Sequence, residues 1–407
     1  MVHGTVIGSV VGSRPFLNQG PSHAGNRKPD VNRPPEADLP RAMNYYADYS
    51  GCGFWRMIWP EHALNAYSKM VCVGSTVMTH DANVYKNIKS VRLQRQASPH
   101  QLQFLEYLRK LADKENFKLI YEIDDVMFRE DIPEYNKFRF AFTDDSVREA
   151  SQKMVELCDE VTVTCDYIKD YYTSKTDNKN ITVIPNYPPK WWLGHMFNED
   201  LISKNYDRQV KKRRKPRILY AGSGAHFDVD NNVNQADDFA HVRDVIKKTS
   251  KKFQWVFVGA YPLPLRELIQ SGKIEFHPWV KLYELPGLLT RLKINCMVAP
   301  LIDNTFNRCK SDIKLVEANA LGIPIICQDM VTYEKAPYKF TTGDEMIDQI
   351  DKVLSDKQSY MKICRKGNLD VQSRWLESPD NLDKYVELYN LPYGDPKRKL
   401  LNRLNRL

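Results

Sequence analysis

The chain predicts an α/β architecture of two successive doubly wound parallel sheets. Three observations carry this: 407 residues suit two domains of ordinary size, strand-like and helix-like segments alternate along most of the length, and that alternation restarts after a basic, proline-bounded stretch. Hydrophobic residues make up 42% of the chain, enough for two cores.

Residues 1–42 open with an alternating segment, VHGTVIGSV, and continue through a polar Pro-, Gly- and Asn-rich stretch that reads as an extension. The first half occupies 43–190. It contains a strand at VRLQRQ (91–96), a helix over 99–115, the strand FKLIYEIDD, a helix over 146–158, and the strands EVTVTC and NITVIPN. A linker is expected over 191–216. The second half, 217–375, starts with RILYAGSG. Helices near 238–251, 263–271, 281–291 and 311–321 then alternate with the strands FQWVFVGA, KIEFHPW, INCMVAP and PIICQD. The last segment, 376–407, reads as a helix returning to the first half, followed by a basic tail.

Composition narrows the class. No run reaches the roughly 18–20 apolar residues needed to span a bilayer, and the N-terminus lacks the basic-then-apolar pattern of a secretory signal. A cytoplasmic protein without stable membrane association is expected. The eight cysteines form no C-x-x-C pair and lie mostly in apolar runs, so neither a disulfide framework nor a metal site is expected. The net charge of +8 is concentrated in Lys211–Lys215, in Lys247, Lys248, Lys251 and Lys252, and in the last eleven residues. Such clusters suit a polyanion, and a solvated basic surface is the plain alternative.

Ligands of doubly wound sheets bind outside the carboxyl ends of the strands, which directs attention to the loops there. The most informative one is NTFNRCKSDIKLVEANALGIPII (304–326). A helix entered through Lys310, Ser311 and Asp312 offers unpaired backbone N–H groups and a positive dipole end to a diphosphate. Arg308, Lys310 and Lys314 add charge, and Glu317 is spaced to accept from the two hydroxyls of a ribose. An amphipathic helix with a good cap fits the same pattern. In the first half, Tyr49-Ser-Gly-Cys-Gly-Phe-Trp-Arg56 is a glycine loop that lets backbone approach a ligand closely, or else a tight turn before a helix. YEIDD ends a strand on Asp124 and Asp125. These carboxylates could orient an acceptor hydroxyl, take its proton or stabilise cationic charge, and an N-cap is the structural alternative.

Residues 304–326 resemble the donor segment of retaining GT-B glycosyltransferases of the glycosyltransferase-4 type, with Glu317, Ala318, Ala320, Gly322 and Pro324 matching the second half of their E-x7-E pattern. The first glutamate of that pattern falls on Cys309. RILYAGSGAHFDVDN resembles the strand and loop that open the nucleotide domain, with Ser223 where an arginine is usual. The resemblance covers most of 43–390 and implies two Rossmann-like domains facing each other across a cleft. It implies a UDP-sugar as co-substrate, no required cofactor or metal, and retention of configuration. Donor contacts are then expected from Gly51, Gly53, Gly222, Ser223, His226, Gly259, Trp279, Val280, Arg308, Lys310, Ser311, Asp312 and Glu317. Acceptor contacts are expected from Tyr49, Phe54, Arg56, Arg213 and Arg214, with Asp124 or Asp125 catalytic. The G-C-G loop and the strand ending in carboxylates are similar to glycosyltransferases of T-even-like bacteriophages, which modify 5-hydroxymethylcytosine in DNA. That likeness implies double-stranded DNA as the partner, glucose or arabinose as the sugar, and the host cytoplasm as the location. A transferase for surface polysaccharide or lipid-linked sugar, and a non-catalytic sugar- or nucleic-acid-binding module, are the other readings.

Overall fold

The computed structural model describes residues 39–142, 144–194, 196–212, 214–228 and 236–395. The VHGTVIGSV segment, Arg213 and the basic tail with KRKLLNRLNRL lie outside these.

The first sheet contains β1 (Arg41–Tyr45), β2 (Val71–Ser75), β3 (Ser90–Gln94), β4 (Lys118–Glu122), β5 (Glu160–Val163) and β6 (Ile181–Val183). All pairings are parallel, in the order β2-β1-β3-β4-β5-β6. The second sheet contains β7 (Arg217–Gly222), β8 (Gln254–Gly259), β9 (Glu275–Pro278), β10 (Cys296–Ala299), β11 (Ile325–Gln328) and β12 (Lys339–Phe340), in the order β12-β11-β10-β7-β8-β9 and again parallel. Two six-stranded parallel sheets with flanking helices are the layout of the two-domain GT-B fold. The strand order reverses between β1 and β3 in one sheet and between β7 and β10 in the other, and ligands of such sheets enter at these switch points.

Local chemistry accounts for the elements. The helix Pro99–Glu115 starts with Pro at its first position behind a Ser98–Gln101 capping box, and ends at Asn116 in the left-handed conformation (φ 58°). Its buried residues, Phe104, Leu105, Leu108, Leu111 and Ala112, recur at helical spacing and pack on the sheet. The central strands β5, β10 and β11 are buried at every position, as parallel strands covered on both faces must be.

Two features differ from the sequence reading. β1 begins at Arg41 and straddles the expected edge of the extension at 42/43, because the sheet pairing of Arg41 and Ala42 with Val71 and Cys72 recruits them. Much of 191–216 is helical, with helices Lys190–Leu193 and Glu199–Tyr206 and a π-helical turn Asp207–Lys211. Trp192 of this stretch is buried against Trp55 and Trp59. The helix Pro379–Asn390 returns to the first half. There Tyr389 donates to Asn44 (2.9 Å), and Lys118 reaches the carbonyls of Leu388 (2.8 Å) and Leu391 (2.9 Å).

Candidate functional site

The two halves meet at loops that follow the carboxyl ends of their strands. On the first-half side, Asp124 and Asp125 follow β4. No helix starts on them, since the next helical turn is Arg129–Asp131, so they are not N-caps. Arg95, just past β3, adopts a positive φ of 38° and directs its guanidinium to Asp124 (3.2 Å) and to the Cys52 sulfur (3.2 Å). Asp125 faces the other way, and Lys310 of the second half donates to it across the cleft at 3.3 Å. The two carboxylates are therefore unequal: Asp124 is held within its own half, and Asp125 is the one that meets the opposite half.

On the second-half side, the helix Ile313–Leu321 begins at Asp312 without a side-chain cap. Asp312 instead forms a two-pronged ion pair with Arg374 (2.6 and 3.0 Å), and Arg374 also donates to the Asn186 carbonyl (3.1 Å). This corrects the expectation that Asp312 touches the donor: it ties the helix to the chain connecting the two halves and leaves the first N–H groups uncapped. Ser311 accepts from Asn186 at 2.9 Å. The ammonium of Lys310 sits 3.9 Å from the Phe306 ring centre, and that of Lys314 lies 5.3 Å from Tyr220. Burial lowers the Lys314 pKa and raises that of Glu317 one turn away, with each charge partly relieved by the other. Glu317 has no hydrogen-bond partner among the described residues and remains available to a ligand.

The shift on Lys314 gives a signed prediction. Only the ammonium form attracts a phosphate, and its pKa lies below that of an ordinary lysine. Under the function proposed below, UDP affinity should therefore decline at a lower pH on the alkaline side than an unshifted lysine would allow, and Lys314→Arg should remove the decline. Calorimetric titration of UDP from pH 7 to about 10 checks this.

Other expected contacts fall in several places. Gly222 and exposed Ser223 end β7 at the cleft. His226 is buried, with Nδ1 2.7 Å from Asp238, and burial lowers its pKa to about 4. It is neutral at pH 7, so as an expected donor contact it brings no charge to a diphosphate. Gly259 has φ +96°, and a Cβ there would lie 2.3 Å from Trp279, so this backbone and this close ring require glycine. Trp279 is half exposed beside it, and Val280 is partly buried. Arg308 forms a two-pronged pair with Asp303 (2.5 Å each) and reaches Tyr167 of the first half at 3.3 Å. It lies at the cleft edge with its charge already engaged.

The glycine loop is helical. Gly51 and Gly53 open a continuous helical run to Ala66, and neither has positive φ. Gly51 faces open space, whereas a Cβ on Gly53 would fall 1.9 Å from the Asp48 carbonyl oxygen, so Gly53 is required for close packing of its own chain. Tyr49 is exposed, but Phe54 packs against Trp59 (5.8 Å between ring centres) and belongs to the core. Arg56 is fully buried. It bonds Glu122 (2.5 Å), the Ile184 carbonyl (2.7 Å) and Asn186 (3.0 Å), and so cannot contact an acceptor. Arg214 lies at the amino-terminal end of the second sheet, away from the cleft, next to Lys215 and the start of β7.

Cys309, where the resembling pattern has its first glutamate, is completely buried and packs with Phe306 into the core of the first half. A carboxylate there would be desolvated and close to Asp125 and Asp131, both of which already push the Cys309 thiol upward. Cys309→Glu is accordingly expected to destabilise the protein by about 3 kcal/mol or more rather than create a sugar contact, as a lower urea midpoint would register.

The sequence reading missed the hub beside this segment. Asp238 receives hydrogen bonds from Tyr135 of the first half (3.0 Å), from Asn307 (2.6 Å) and from the Ile302 amide (3.0 Å), and it also faces His226. Asn304 bonds the same Tyr135 hydroxyl at 3.2 Å. Of these residues only His226 was singled out from the sequence, and nothing in the sequence pairs Tyr135 with Asp238. No group of residues able to hold a metal ion occurs among the described residues, nor any helix long and apolar enough to cross a membrane.

The two parallel sheets are consistent with a two-domain α/β fold of the GT-B kind. No protein-family model matches the chain, and no curated protein matches it. Among solved structures it is similar to TarM, at 9% identity and a TM-score of 0.49 over 74% of this chain, and it spans 54% of TarM's length. It is also similar to UGT2 of Phytolacca americana complexed with UDP-2-fluoro-glucose and pterostilbene (10% identity, TM-score 0.40, 86% of this chain and 98% of that one). A third is the wall teichoic acid polymerase TagF (12%, 0.42, 89% and 90%).

Proposed function

We propose that the chain is a glycosyltransferase that moves glucose or arabinose from a UDP-sugar to 5-hydroxymethylcytosine in DNA, with retention of configuration. The observation that carries the transferase reading is the meeting of Lys310 with Asp125 at the uncapped start of the helix Ile313–Leu321. The helix N-terminus with Lys310 and Lys314 is a site for a diphosphate, and Glu317 is placed one turn further on for a ribose. Gly259 and Trp279 offer a flat surface for the base.

When a diphosphate enters, its negative charge competes with Asp125 for Lys310. Asp125 is then released to accept the proton of the acceptor hydroxyl. The bond from the anomeric carbon to the diphosphate oxygen breaks, and the bond to the acceptor oxygen forms on the same face. Charge developing on the leaving diphosphate is met by the helix N-terminus and by Lys314, joined by Lys310 once it has left Asp125. The DNA acceptor rests on the likeness to phage enzymes and on the basic clusters; retention rests on the resemblance to the glycosyltransferase-4 type.

The test is to incubate purified protein with duplex DNA containing hydroxymethylcytosine and a panel of UDP-sugars, then analyse the nucleosides by mass spectrometry. A mass gain of a hexose or pentose is expected. If UDP is released but no nucleoside gains mass with any donor, the acceptor is instead a polysaccharide or lipid-linked sugar. If UDP-sugars are neither transferred nor hydrolysed, the chain is a binding module.

A further inference from the structure

A pocket of about 470 Å³ lies at the amino-terminal ends of β7, β8 and β9, at the opposite end of the second sheet from the cleft. β7 alone is six residues long, which places the pocket roughly 20 Å from the donor side. Cationic side chains dominate its lining: Arg208, Arg214, Lys215, Arg217, Arg291 and Lys293, against a single acid, Glu275. That acid is already engaged. Arg217 takes both of its oxygens at 2.7 Å, and His277 bonds it at 2.6 Å. Lys215 donates to the Ser250 carbonyl at 2.9 Å. Arg208, Arg214, Arg291 and Lys293 have no carboxylate partner among the described residues, so four positive charges converge on one concavity without compensation.

The π-helical turn Asp207–Lys211 edges the pocket and supplies Arg208 and Gln209 to its lining. π-helical turns also occur often at functional positions.

We propose that this pocket is a second phosphate-binding site that grips the phosphodiester backbone of double-stranded DNA outside the cleft. The proposal rests on the DNA acceptor reading above and extends it by giving the duplex an anchor remote from the reacting base. Backbone contacts of this kind position a duplex without reading its sequence. A membrane surface fits less well, because interfacial docking inserts large apolar side chains. The only large apolar residue in the lining, Leu292, is buried.

The test uses a fluorescein-labelled duplex of about 25 base pairs without hydroxymethylcytosine, so that no transfer occurs. Binding is followed by anisotropy between about 50 and 200 mM salt. The variant carries Arg208→Ala, Arg214→Ala and Arg291→Ala together. The expected result is a duplex affinity at least about tenfold weaker and a log–log salt slope shallower by roughly 2–3, because each lost phosphate contact removes about 0.9 from the slope. UDP affinity and thermal midpoint should be unchanged, which controls for folding.

An unchanged duplex affinity and slope in the variant overturns the proposal, as does failure of the wild type to bind the duplex. Wild-type binding to phosphatidylserine vesicles but not to duplex also overturns it. Loss of duplex binding in the variant, together with a wild type that transfers no sugar to hydroxymethylated DNA, would refute the acceptor reading and leave the pocket assignment standing.

Discussion

Arg56→Ala is expected to lower the unfolding free energy by about 3–5 kcal/mol, the cost of breaking a buried ion pair and leaving its acceptors without a donor. Arg56 and Arg92 both meet Glu122 in an interior where all three side chains are fully buried. Removing Arg56 deprives Glu122 of its contact at 2.5 Å and frees the Ile184 carbonyl and the Asn186 side chain, whose partners then lie in a dry interior. Lysine should rescue little, because one ammonium cannot reproduce a planar fork that serves a carboxylate, a carbonyl and an amide at once. Chemical denaturation at pH 7 checks this. The effect should also reach the cleft, since Asn186 is the residue that bonds Ser311 at the start of the donor helix.

Lys310→Ala should be the largest functional lesion that leaves the fold intact. Its pair with Asp125 is partly exposed (20% and 25% for the two side chains), so its contribution to stability is small and the thermal midpoint should hardly move. In the proposed reaction its charge, by contrast, meets the leaving diphosphate as negative charge develops there. Loss of one such group typically costs about 10²–10³ in turnover. We therefore expect kcat to fall by about that factor and the donor KM to rise. Asp125→Asn should lower kcat with little change in donor KM, and that split separates the carboxylate that meets the acceptor from the lysine that meets the donor.

These two residues mark the limits of what the sequence disclosed. Segments buried on both faces, such as MVA of β10 and IIC of β11, are continuous apolar runs, and their order alone implies parallel sheets. The short edge strand β2 is partly exposed and ends in Gly-Ser, so it carries little of that pattern. The helix Ile313–Leu321 was legible because an apolar run entered through polar and basic residues has a local signature. Arg56 was misread because an arginine after a glycine loop is most often at a surface. Its burial depends on Glu122, 66 positions later, and no local pattern announces that pairing. Asp312 was misread for the same reason: its partner Arg374 is 62 positions away. Cys309 kept its place in the pattern but not its role, because packing from the first half occupies the space a carboxylate would need.

The most direct test of the central claim, that the second half holds the donor, is photocrosslinking with 5-azido-UDP-glucose followed by peptide mapping. The account predicts labelling of peptides containing Gly259, Trp279 or Val280, suppressed by excess UDP. Labelling confined to the first half, or labelling that UDP does not suppress, would contradict it.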